Sequence, residues 1–257
     1  MLNELNGMRR SWAAARTALG VWVTLPSSLN VEWIVGDGLD YVCFDLQHGL
    51  GGFDSLAAQI AACSAAGPTP LVRTPGNEPF QIGKALDLGA LGVIVPLVAS
   101  PEAAAAAVAA CRYPPTGVRS YGPTRLEGVV GTADPSRLER EALCFVMVEN
   151  REGLECVEAI AATAGLDGIY VGPADLGISM GLGPHAFDHP DHIAATERIR
   201  AACVANGIRA GVHGHSGAQA RERAAQGFEF VTVTTDTTVL RAGVARELAA
   251  AREPAET

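Results

Sequence analysis

Two carboxylates stand at the ends of consecutive apolar runs. Glu149 follows Cys144-Phe-Val-Met-Val, and Asp175 ends Gly168-Ile-Tyr-Val-Gly-Pro-Ala-Asp. Such runs are typical of strands buried on both faces of a parallel sheet, and ligands bind at the carboxyl ends of these strands. Two carboxylates on adjacent strands suit a hard divalent cation, so the sequence predicts Glu149 and Asp175 as metal ligands. The alternative is that each carboxylate caps a helix, but Asn150 is the better capping residue beside Glu149.

The segment Gly172-Pro173-Ala174-Asp175 predicts a tight strand-to-helix turn. Pro173 has no N–H group, whereas the N–H groups of Ala174 and Asp175 are expected to point outward from the first helical turn. Such a helix start suits a substrate carboxylate. We therefore expect Gly172, Pro173, Ala174 and Asp175 to contact substrate.

A second polar group follows another apolar run, at Asp45, Gln47 and His48. Strand alternation places Asp45 and Gln47 on one face, with His48 in the turn. A carboxylate near a histidine fixes its tautomer and raises its basicity, so we expect Asp45 and His48 to be catalytic and Gln47 to contact substrate. The alternative is a histidine whose hydrogen bonds are satisfied within the loop.

Arg73 ends the run Leu71-Val-Arg-Thr-Pro. An arginine on a buried strand needs an anionic partner, because an unpaired buried charge is costly. That partner is either structural, such as Asp45 or Glu149, or an oxyanion of a ligand. The position at a strand end favours the ligand, and Arg73 is expected to be catalytic and to bind substrate.

His213 and His215 follow a seventh apolar run, and Thr234-Thr-Asp-Thr-Thr follows an eighth. We expect His213 to contact the distal end of a substrate, since these two loops often bind anionic tails in barrels. Metal ligation and plain loop hydrogen bonding are the alternatives for both histidines.

Lys84 is the only lysine of the chain, and it falls within a helical pattern. A Schiff-base mechanism needs a desolvated lysine inside the pocket, so this chemistry is not expected of Lys84. Carbon–carbon chemistry would then need a metal or another electrophile.

The elements that must position these residues alternate along the whole chain. Strands are predicted at 20–25, 41–46, 70–74, 92–98, 143–149, 168–172, 209–213 and 228–234. Helices are predicted at 3–15, 29–37, 54–66, 79–88, 101–111, 152–164, 191–206, 217–226 and 237–251. Eight strand–helix units in 257 residues predict a single α/β domain over residues 1–257, a (β/α)8 TIM barrel with an N-terminal helix. Two long loops, 113–136 and 177–190, could cover a pocket.

Composition excludes several classes of function. The net charge of −9 argues against nonspecific nucleic-acid binding, and no apolar run is long enough to span a membrane. The N-terminus lacks a signal-peptide pattern. Six scattered cysteines without a Cys-x-x-Cys motif are typical of reduced thiols, so a cytoplasmic protein is expected.

Taken together and in order, several motifs resemble the HpcH/HpaI aldolase family, which are class II, metal-dependent pyruvate aldolases such as 4-hydroxy-2-oxoheptanedioate aldolase. The resemblance runs from Leu19-Gly-Val-Trp to Val239-Leu-Arg. Its landmarks are Phe44-Asp-Leu-Gln-His48, Leu71-Val-Arg73-Thr-Pro, Leu86-Asp87-Leu-Gly-Ala, Val95-Pro-Leu-Val, Arg112-Tyr-Pro-Pro-x-Gly-x-Arg119, Val148-Glu149-Asn-Arg-Glu and Val171-Gly-Pro-Ala-Asp-Leu176.

The resemblance implies reversible cleavage of a 4-hydroxy-2-oxo acid to pyruvate, or a close 2-oxo acid, and an aldehyde. It implies Mg²⁺, Mn²⁺ or Co²⁺ on Glu149 and Asp175, with Arg73 holding the keto oxygen. His48, oriented by Asp45, would transfer the proton. It also implies a homo-oligomer, a hexamer or trimer, in which Asp87 reaches toward a histidine of a neighbouring subunit.

The chain departs from the common family pattern at its acceptor half. Gln47 replaces a usual glutamate, Met147 replaces a common glutamine, and His213 and His215 occupy a loop that is less polar in the dicarboxylate aldolases. The native aldehyde is therefore open.

Three other functions remain possible from the sequence. A CoA-thioester lyase of the citrate-lyase or malyl-CoA type would need a basic groove, for which Arg112, Arg119 and Arg125 are available. Oxaloacetate decarboxylation uses the same enolate. A noncatalytic barrel serving as a binding module is the third, and the intact polar residues at the strand ends argue against it.

Overall fold

The computed structural model describes residues 5–36 and 38–253. Its centre is a closed barrel of eight parallel strands that follow one another in chain order. This confirms the predicted (β/α)8 barrel. The strands are β1 (Ala18–Val23), β2 (Tyr41–Asp45), β3 (Thr69–Arg73), β4 (Gly92–Val95), β5 (Leu143–Val148), β6 (Gly168–Val171), β7 (Arg209–His213) and β8 (Phe230–Thr235).

Helices surround the barrel and close its lower end. They are α1 (Gly7–Ala13), α2 (Ser28–Ile34), α3 (Phe53–Ala66), α4 (Pro79–Asp87), α5 (Pro101–Cys111), α6 (Leu126–Val130), α7 (Pro135–Glu141), α8 (Arg151–Glu155), α9 (Val157–Ala161), α10 (Pro173–Ser179), α11 (Pro190–Ala205), α12 (Gly217–Ala225) and α13 (Asp236–Ala251). Across the described part of the chain, no helix is long and apolar enough to cross a membrane.

Every predicted strand overlaps an observed one, and the differences lie at the ends. The strand predicted over 92–98 stops at Val95, because Pro96 has no N–H for the ladder and Leu97 has a positive φ of 56°. The N-terminal helix predicted over 3–15 is shorter, from Gly7 to Ala13; residues 3 and 4 lie outside the described residues. The side chain of Asn6 accepts a hydrogen bond from the N–H of Arg9 and so fixes where this helix begins.

The predicted helices differ from the structure mainly where the chain bends. The helix predicted over 152–164 is two helices, α8 and α9, which meet at Cys156. The loop predicted over 113–136 contains α6 and the start of α7, and the helix predicted over 237–251 begins at Asp236. Gly67, at the end of α3, has the left-handed conformation expected of a helix C-cap.

Aromatic side chains fill the barrel interior. A Cβ built at Gly20 would lie 2.5 Å from the ring of Tyr41, so the missing side chain makes room for that ring. At the lower end the ring of Trp12 packs edge-on against Phe145 and Phe230, with centroids 6.4 and 6.2 Å away. The barrel interior is therefore filled below, whereas a cavity opens at the carboxyl end of the strands.

Candidate active site at the carboxyl end of the barrel

A cavity of about 230 Å³ opens where the strands end. Residues from the ends of β1, β2, β3, β5, β6, β7 and β8 contribute to its wall. The lining residues are Trp22, Thr24, Asp45, Arg73, Met147, Tyr170, Gly172, Pro173, Ala174, Asp175, His213, His215 and Thr235. The cavity thus brings together Asp45, Arg73, His213 and the whole 172–175 turn, as the sequence predicts.

Glu149 lies buried beside this cavity, immediately after β5. Its Oε1 accepts a hydrogen bond of 2.8 Å from the backbone N–H of Leu97. Its Oε2 is buried and has no hydrogen-bond partner among the described residues. A buried carboxylate oxygen without a partner is costly unless a cation or donor completes it, so Glu149 fits a metal ligand.

Burial also changes the protonation of Glu149. It raises the pKa of this carboxyl to about 7, and the negative charge of Asp175 adds to the rise. The hydrogen bond from Leu97 and the charge of Arg73 oppose it. A divalent cation held by these residues would offset both the burial of the charge and the repulsion from Asp175, and so would lower the pKa of Glu149. Asn150 caps α8 through the N–H of Gly153, as the sequence predicts, which leaves Glu149 free of a capping role.

Leu97 is a site residue that sequence reasoning does not find. Its left-handed φ of 56° turns its backbone N–H toward Glu149. Such backbone strain in a residue other than glycine costs about 1–3 kcal/mol and clusters at functional sites. Leu97 contributes through its backbone, so its residue type does not indicate a site residue in the sequence. The only indication is its place in the loop Val95-Pro-Leu-Val.

The 172–175 segment forms the predicted turn into α10. A Cβ at Gly172 would collide with Oε2 of Glu149 and lie 2.9 Å from Met147, so a glycine is required beside the carboxylate. Asp175 is exposed in the first turn of α10. The N–H groups of a first helical turn have no acceptor within the helix, which leaves those of Ala174 and Asp175 to face an anion.

Asp45 and Arg73 are paired in register on β2 and β3. The arginine donates from Nε to Oδ1 at 2.9 Å and from Nη2 to Oδ2 at 2.5 Å, and its guanidinium lies 5.1 Å from the centre of the Trp22 ring. Burial alone would raise the pKa of Asp45, but the hydrogen bonds and charge of Arg73 outweigh it and lower that pKa. Asp45 is therefore the structural partner of Arg73.

This pairing corrects the expected orientation of His48. Oδ1 of Asp45 accepts hydrogen bonds from the backbone N–H groups of Gln47 at 3.0 Å and His48 at 3.2 Å. The carboxylate makes no hydrogen bond to the ring of His48 within the described residues and is bound instead by the guanidinium of Arg73. The His48 side chain is exposed, and neither it nor Gln47 lines the cavity.

Asp87 and Lys84 lie on α4, away from the cavity lining. Asp87 ends that helix and accepts a hydrogen bond of 2.7 Å from Nη2 of Arg119. Lys84 is exposed on the same helix. Within one chain, Asp87 therefore does not join the other site residues.

His213 is partly buried between the barrel interior and the cavity. Its Nδ1 is 3.2 Å from the hydroxyl of Tyr170, and its ring packs edge-on against Trp22 with centroids 5.1 Å apart. His215 is exposed and packs against Phe187 at 4.8 Å. Trp22 and Tyr170 were not predicted as site residues, because in the sequence an inward aromatic on a strand cannot be told from core.

The three arginines that could have formed a basic groove make structural contacts instead. They are Arg112, Arg119 and Arg125. Arg112 donates to the carbonyl oxygens of Ala142 and Gly165, and Arg125 donates to that of Leu88. Arg119 is buried against Asp87 and the ring of Tyr113. These contacts do not assemble the basic groove that the sequence left open.

Residues that could hold a metal are few. No group of three or more His, Cys, Asp or Glu side chains is arranged around a common point in residues 5–36 and 38–253. Glu149 and Asp175 supply two carboxylates. This set suits Mg²⁺ in particular, because Mg²⁺ is commonly bound through one or two carboxylates and keeps water or substrate oxygens in its other positions.

Comparison with known proteins agrees with the geometry. A family model described as HpcH/HpaI aldolase/citrate lyase matches residues 18–242. The chain is 34% identical to hydroxypyruvate/pyruvate aldolase of Rhizorhabdus wittichii over 96% of this chain and 99% of that protein. It is 35% identical to 5-keto-4-deoxy-D-glucarate aldolase of Salmonella arizonae over 93% of both. A crystal structure of an HpcH/HpaI aldolase/citrate lyase family protein from Burkholderia cenocepacia superposes with a TM-score of 0.89 at 30% identity, covering 96% and 98% of the two chains.

Proposed function

The chain belongs to the HpcH/HpaI aldolase/citrate lyase family, and on this premise we propose that it is a class II aldolase, an aldehyde-lyase. It would reversibly cleave a 4-hydroxy-2-oxo acid to pyruvate, or a close 2-oxo acid, and an aldehyde. The observation that carries this proposal is the buried, unpartnered Oε2 of Glu149 beside a second carboxylate, Asp175, at the cavity. That arrangement supports a cation site at the place where parallel barrels bind substrate.

We propose Mg²⁺, Mn²⁺ or Co²⁺ as the cofactor, held by Glu149 and Asp175. When bound, such an ion supplies Lewis-acid stabilisation of the negative charge that develops on the 2-oxo acid. Leu97 would hold Glu149 in place, because its N–H donates to one carboxylate oxygen and leaves the other free for the ion. Gly172 keeps the space beside that second oxygen open.

Gly172, Pro173, Ala174 and Asp175 would bind the carboxylate of the 2-oxo acid through the free N–H groups of the first helical turn. Arg73 would hold the keto oxygen. Its Nε and Nη2 are occupied by Asp45, whereas Nη1 has no hydrogen-bond partner among the described residues. A guanidinium held rigidly by a carboxylate and an aromatic ring offers a preoriented donor to an oxygen that becomes negative in the transition state.

Proton transfer would fall to His48, which lies in the turn that Asp45 holds by two backbone hydrogen bonds. Its exposed ring could reach the aldehyde oxygen through water, and Gln47 would line the same approach. Asp87 of a neighbouring subunit would complete the group by contacting this histidine. This part of the proposal requires an oligomer, since Asp87 and His48 of one chain lie in different places.

The surface supports such a homo-oligomer, a hexamer or trimer. Asp236 is the only buried residue of the 16-residue helix α13, among the residues that the structure describes. The helix presents an exposed apolar stripe of Leu240, Val244 and Leu248. Leu19, on the outer face of β1, is 38% exposed where a covering helix would normally lie. Unpaired apolar surfaces of this kind mark protein interfaces, and a second copy of the chain would cover both.

The small-molecule partners would be the 2-oxo acid and the aldehyde, with neither nucleic acid nor membrane involved. The six cysteines are free thiols, five of them buried. Reduced thiols are typical of a reducing compartment, so we propose the cytoplasm as the location.

The half-reaction that forms the enolate tests this proposal without knowledge of the aldehyde. Pyruvate is incubated in D₂O with the protein and Mg²⁺, Mn²⁺ or Co²⁺, and deuterium in the methyl group is measured by mass spectrometry. We expect exchange that needs the metal, stops with EDTA and is lost in Glu149→Gln but kept in the matched surface variant Lys84→Arg. Exchange that persists in EDTA, or in Glu149→Gln, would contradict the proposal.

A further inference from the structure

A chain of buried hydroxyl groups runs through the barrel interior and ends at His213. The hydroxyl of Tyr41 is 2.9 Å from Oγ1 of Thr232, which is 2.6 Å from the hydroxyl of Tyr170. The Tyr170 hydroxyl is in turn 3.2 Å from Nδ1 of His213. Tyr41, Tyr170 and Thr232 have no exposed surface.

Counting protons along this chain favours one tautomer of His213. Three hydrogen bonds join the four groups, and each of the three hydroxyls carries one proton. If Tyr41 donates to Thr232, Thr232 to Tyr170 and Tyr170 to His213, every proton is used and Nδ1 accepts. If Nδ1 carried a proton instead, four protons would share these bonds, and the fourth could be placed only on the weaker contact between the hydroxyls of Tyr41 and Tyr170.

The arrangement in which Tyr170 donates to Nδ1 places the proton of the neutral ring on Nε2. The ring stays neutral at physiological pH, since burial lowers the pKa of His213 to about 3 with further contributions from His215 and Arg73. In this state Nδ1 is occupied and Nε2 has no free lone pair. In this tautomer the ring offers the cavity a donor and not a basic or metal-binding nitrogen.

The surroundings of Nε2 define what it can bind. His213 lines the cavity, and Nε2 has no hydrogen-bond partner among the described residues. Trp22, Tyr170 and His215 lie around it, and the one strong cation nearby, Arg73, is already paired with Asp45. A carboxylate at this end of the cavity would lack a counter-charge, whereas an uncharged oxygen would need only one donor.

We propose that His213 is a specificity-determining residue whose Nε2–H donates to an uncharged hydroxyl oxygen of the substrate. This rests on the proposed aldolase function and names the substrate class of the same site: a hydroxylated substrate without a distal carboxylate. The hydroxyl could belong to the aldehyde or to C3 of the 2-oxo acid. Tyr170, Thr232 and Tyr41 are positioning residues, because they act only through the tautomer of His213.

Two matched pairs of substrates separate these sources. Glycolaldehyde and acetaldehyde, each with pyruvate, differ by one hydroxyl on the aldehyde. Hydroxypyruvate and pyruvate, compared by proton exchange at C3 without aldehyde, differ by one hydroxyl on the 2-oxo acid. We expect His213→Leu to lower kcat/KM, or the exchange rate, about tenfold for the hydroxylated member of one pair and less than twofold for the other member. His213→Gln, which keeps an N–H donor, should restore part of the loss. His185→Leu, at an exposed histidine outside the cavity lining, serves as the control.

The tautomer is measured independently of activity by ¹H–¹⁵N NMR of protein labelled at histidine. We expect the Nε2–H form at position 213 in the wild type, and a mixture of tautomers in Tyr170→Phe, which removes the donor to Nδ1. Tyr170→Phe should also reduce the discrimination between the two members of the affected pair. An Nδ1–H tautomer in the wild type would overturn the proposal.

Failure of this proposal is distinguishable from failure of the proposed function. If wild-type protein exchanges pyruvate protons with a metal but His213→Leu slows both members of each pair equally, His213 is not a specificity residue and the aldolase function stands. If succinic semialdehyde, which carries a distal carboxylate, is a better acceptor than glycolaldehyde, the assigned substrate class is wrong. If no metal supports exchange in the wild type, the aldolase function and this assignment both fall.

Discussion

Gly172, at the end of β6, leaves open the space that the carboxylate of Glu149 occupies at the end of β5. A Cβ at position 172 would occupy the space of Oε2 of Glu149, the oxygen that has no partner in the described structure. The turn into α10 and the carboxylate at the end of β5 are therefore matched to each other. The backbone of Gly172 after β6 and the side chain of Glu149 after β5 together define where an ion can lie.

Gly172→Ala should consequently displace the Glu149 carboxylate. We expect Mn²⁺ affinity to fall about 10- to 100-fold, the range seen when groups that orient a ligand are changed. Isothermal titration calorimetry measures this directly. Gly128→Ala, at an exposed position of α6 where a Cβ meets nothing within 4 Å, is the matched control and should bind as the wild type does. Unchanged affinity in Gly172→Ala would show that Glu149 does not bind the ion.

The ion pair of Asp45 and Arg73 should dominate the stability of the cavity wall. Asp45→Asn leaves a buried arginine uncompensated, and we expect a loss of about 3–5 kcal/mol in the free energy of unfolding. The double variant Asp45→Asn/Arg73→Met removes that charge and should recover most of the loss, while remaining inactive. Urea unfolding of the wild type, both single variants and the double variant measures the coupling; additive losses would contradict the pairing.

Much of this site was predictable because it follows strand periodicity. Inward positions on a barrel strand alternate, and a polar residue at the last inward position has to face the cavity. Asp45 and Arg73 obey that rule, so their placement follows from the sequence alone. Glu149 continues the inward alternation of β5 one residue past its end and lies beside the cavity. Which of them pair could not be predicted, because the register of β2 against β3 that joins Asp45 to Arg73 is a tertiary property.

Other features carry no local signal. Leu97 acts through its backbone, and its side chain is an ordinary exposed leucine. Tyr41 and Thr232 lie 191 residues apart in sequence and meet only when the barrel closes. Each fits a core strand by type, so neither could be identified as part of a polar network. Helix α13 was predicted correctly as a helix, but its exposed apolar stripe is visible only in three dimensions.

Lys84 should be dispensable for catalysis. It is the only lysine and lies exposed on α4, where it cannot form a desolvated amine. We expect Lys84→Arg to retain activity within about twofold, as a surface substitution away from the site should. Borohydride reduction in the presence of pyruvate should leave the mass of the protein unchanged. A covalent adduct on Lys84 would refute a metal-dependent mechanism.

The apolar stripe of α13 should hold the oligomer together. Leu240→Ser/Val244→Ser/Leu248→Ser removes that stripe, and we expect a smaller assembly by analytical ultracentrifugation with unchanged helical content by circular dichroism. Ala245→Ser/Ala249→Ser, on the adjacent exposed face of the helix, is the control for added polarity. Proton transfer should weaken with the assembly if Asp87 acts on a neighbouring His48. An assembly unchanged by the triple variant would place the interface elsewhere.

Glu149 should make the stability of the metal-free protein depend on pH. Burial and Asp175 raise the pKa of this carboxyl from 4.5 to about 7 in the folded state. The folded state therefore favours the protonated carboxyl. Below about pH 4.5 the carboxyl is protonated in both the folded and the unfolded state, so it does not lower the free energy of unfolding. Between pH 4.5 and about 7 it ionises mainly in the unfolded state, so the free energy of unfolding falls as the pH rises. A difference of this size corresponds to about 3 kcal/mol.

Glu149→Gln is neutral at every pH and isolates this effect. With EDTA present, the free energy of unfolding of the wild type should fall relative to Glu149→Gln by about 3 kcal/mol between pH 4.5 and pH 8. Titrating groups that do not interact with Glu149 contribute equally in both proteins and cancel in the difference. Adding Mn²⁺ at pH 8 should reverse the order, because the ion binds the ionised carboxylate of the wild type alone. A difference that stays constant with pH would mean that Glu149 is already ionised and paired without a metal.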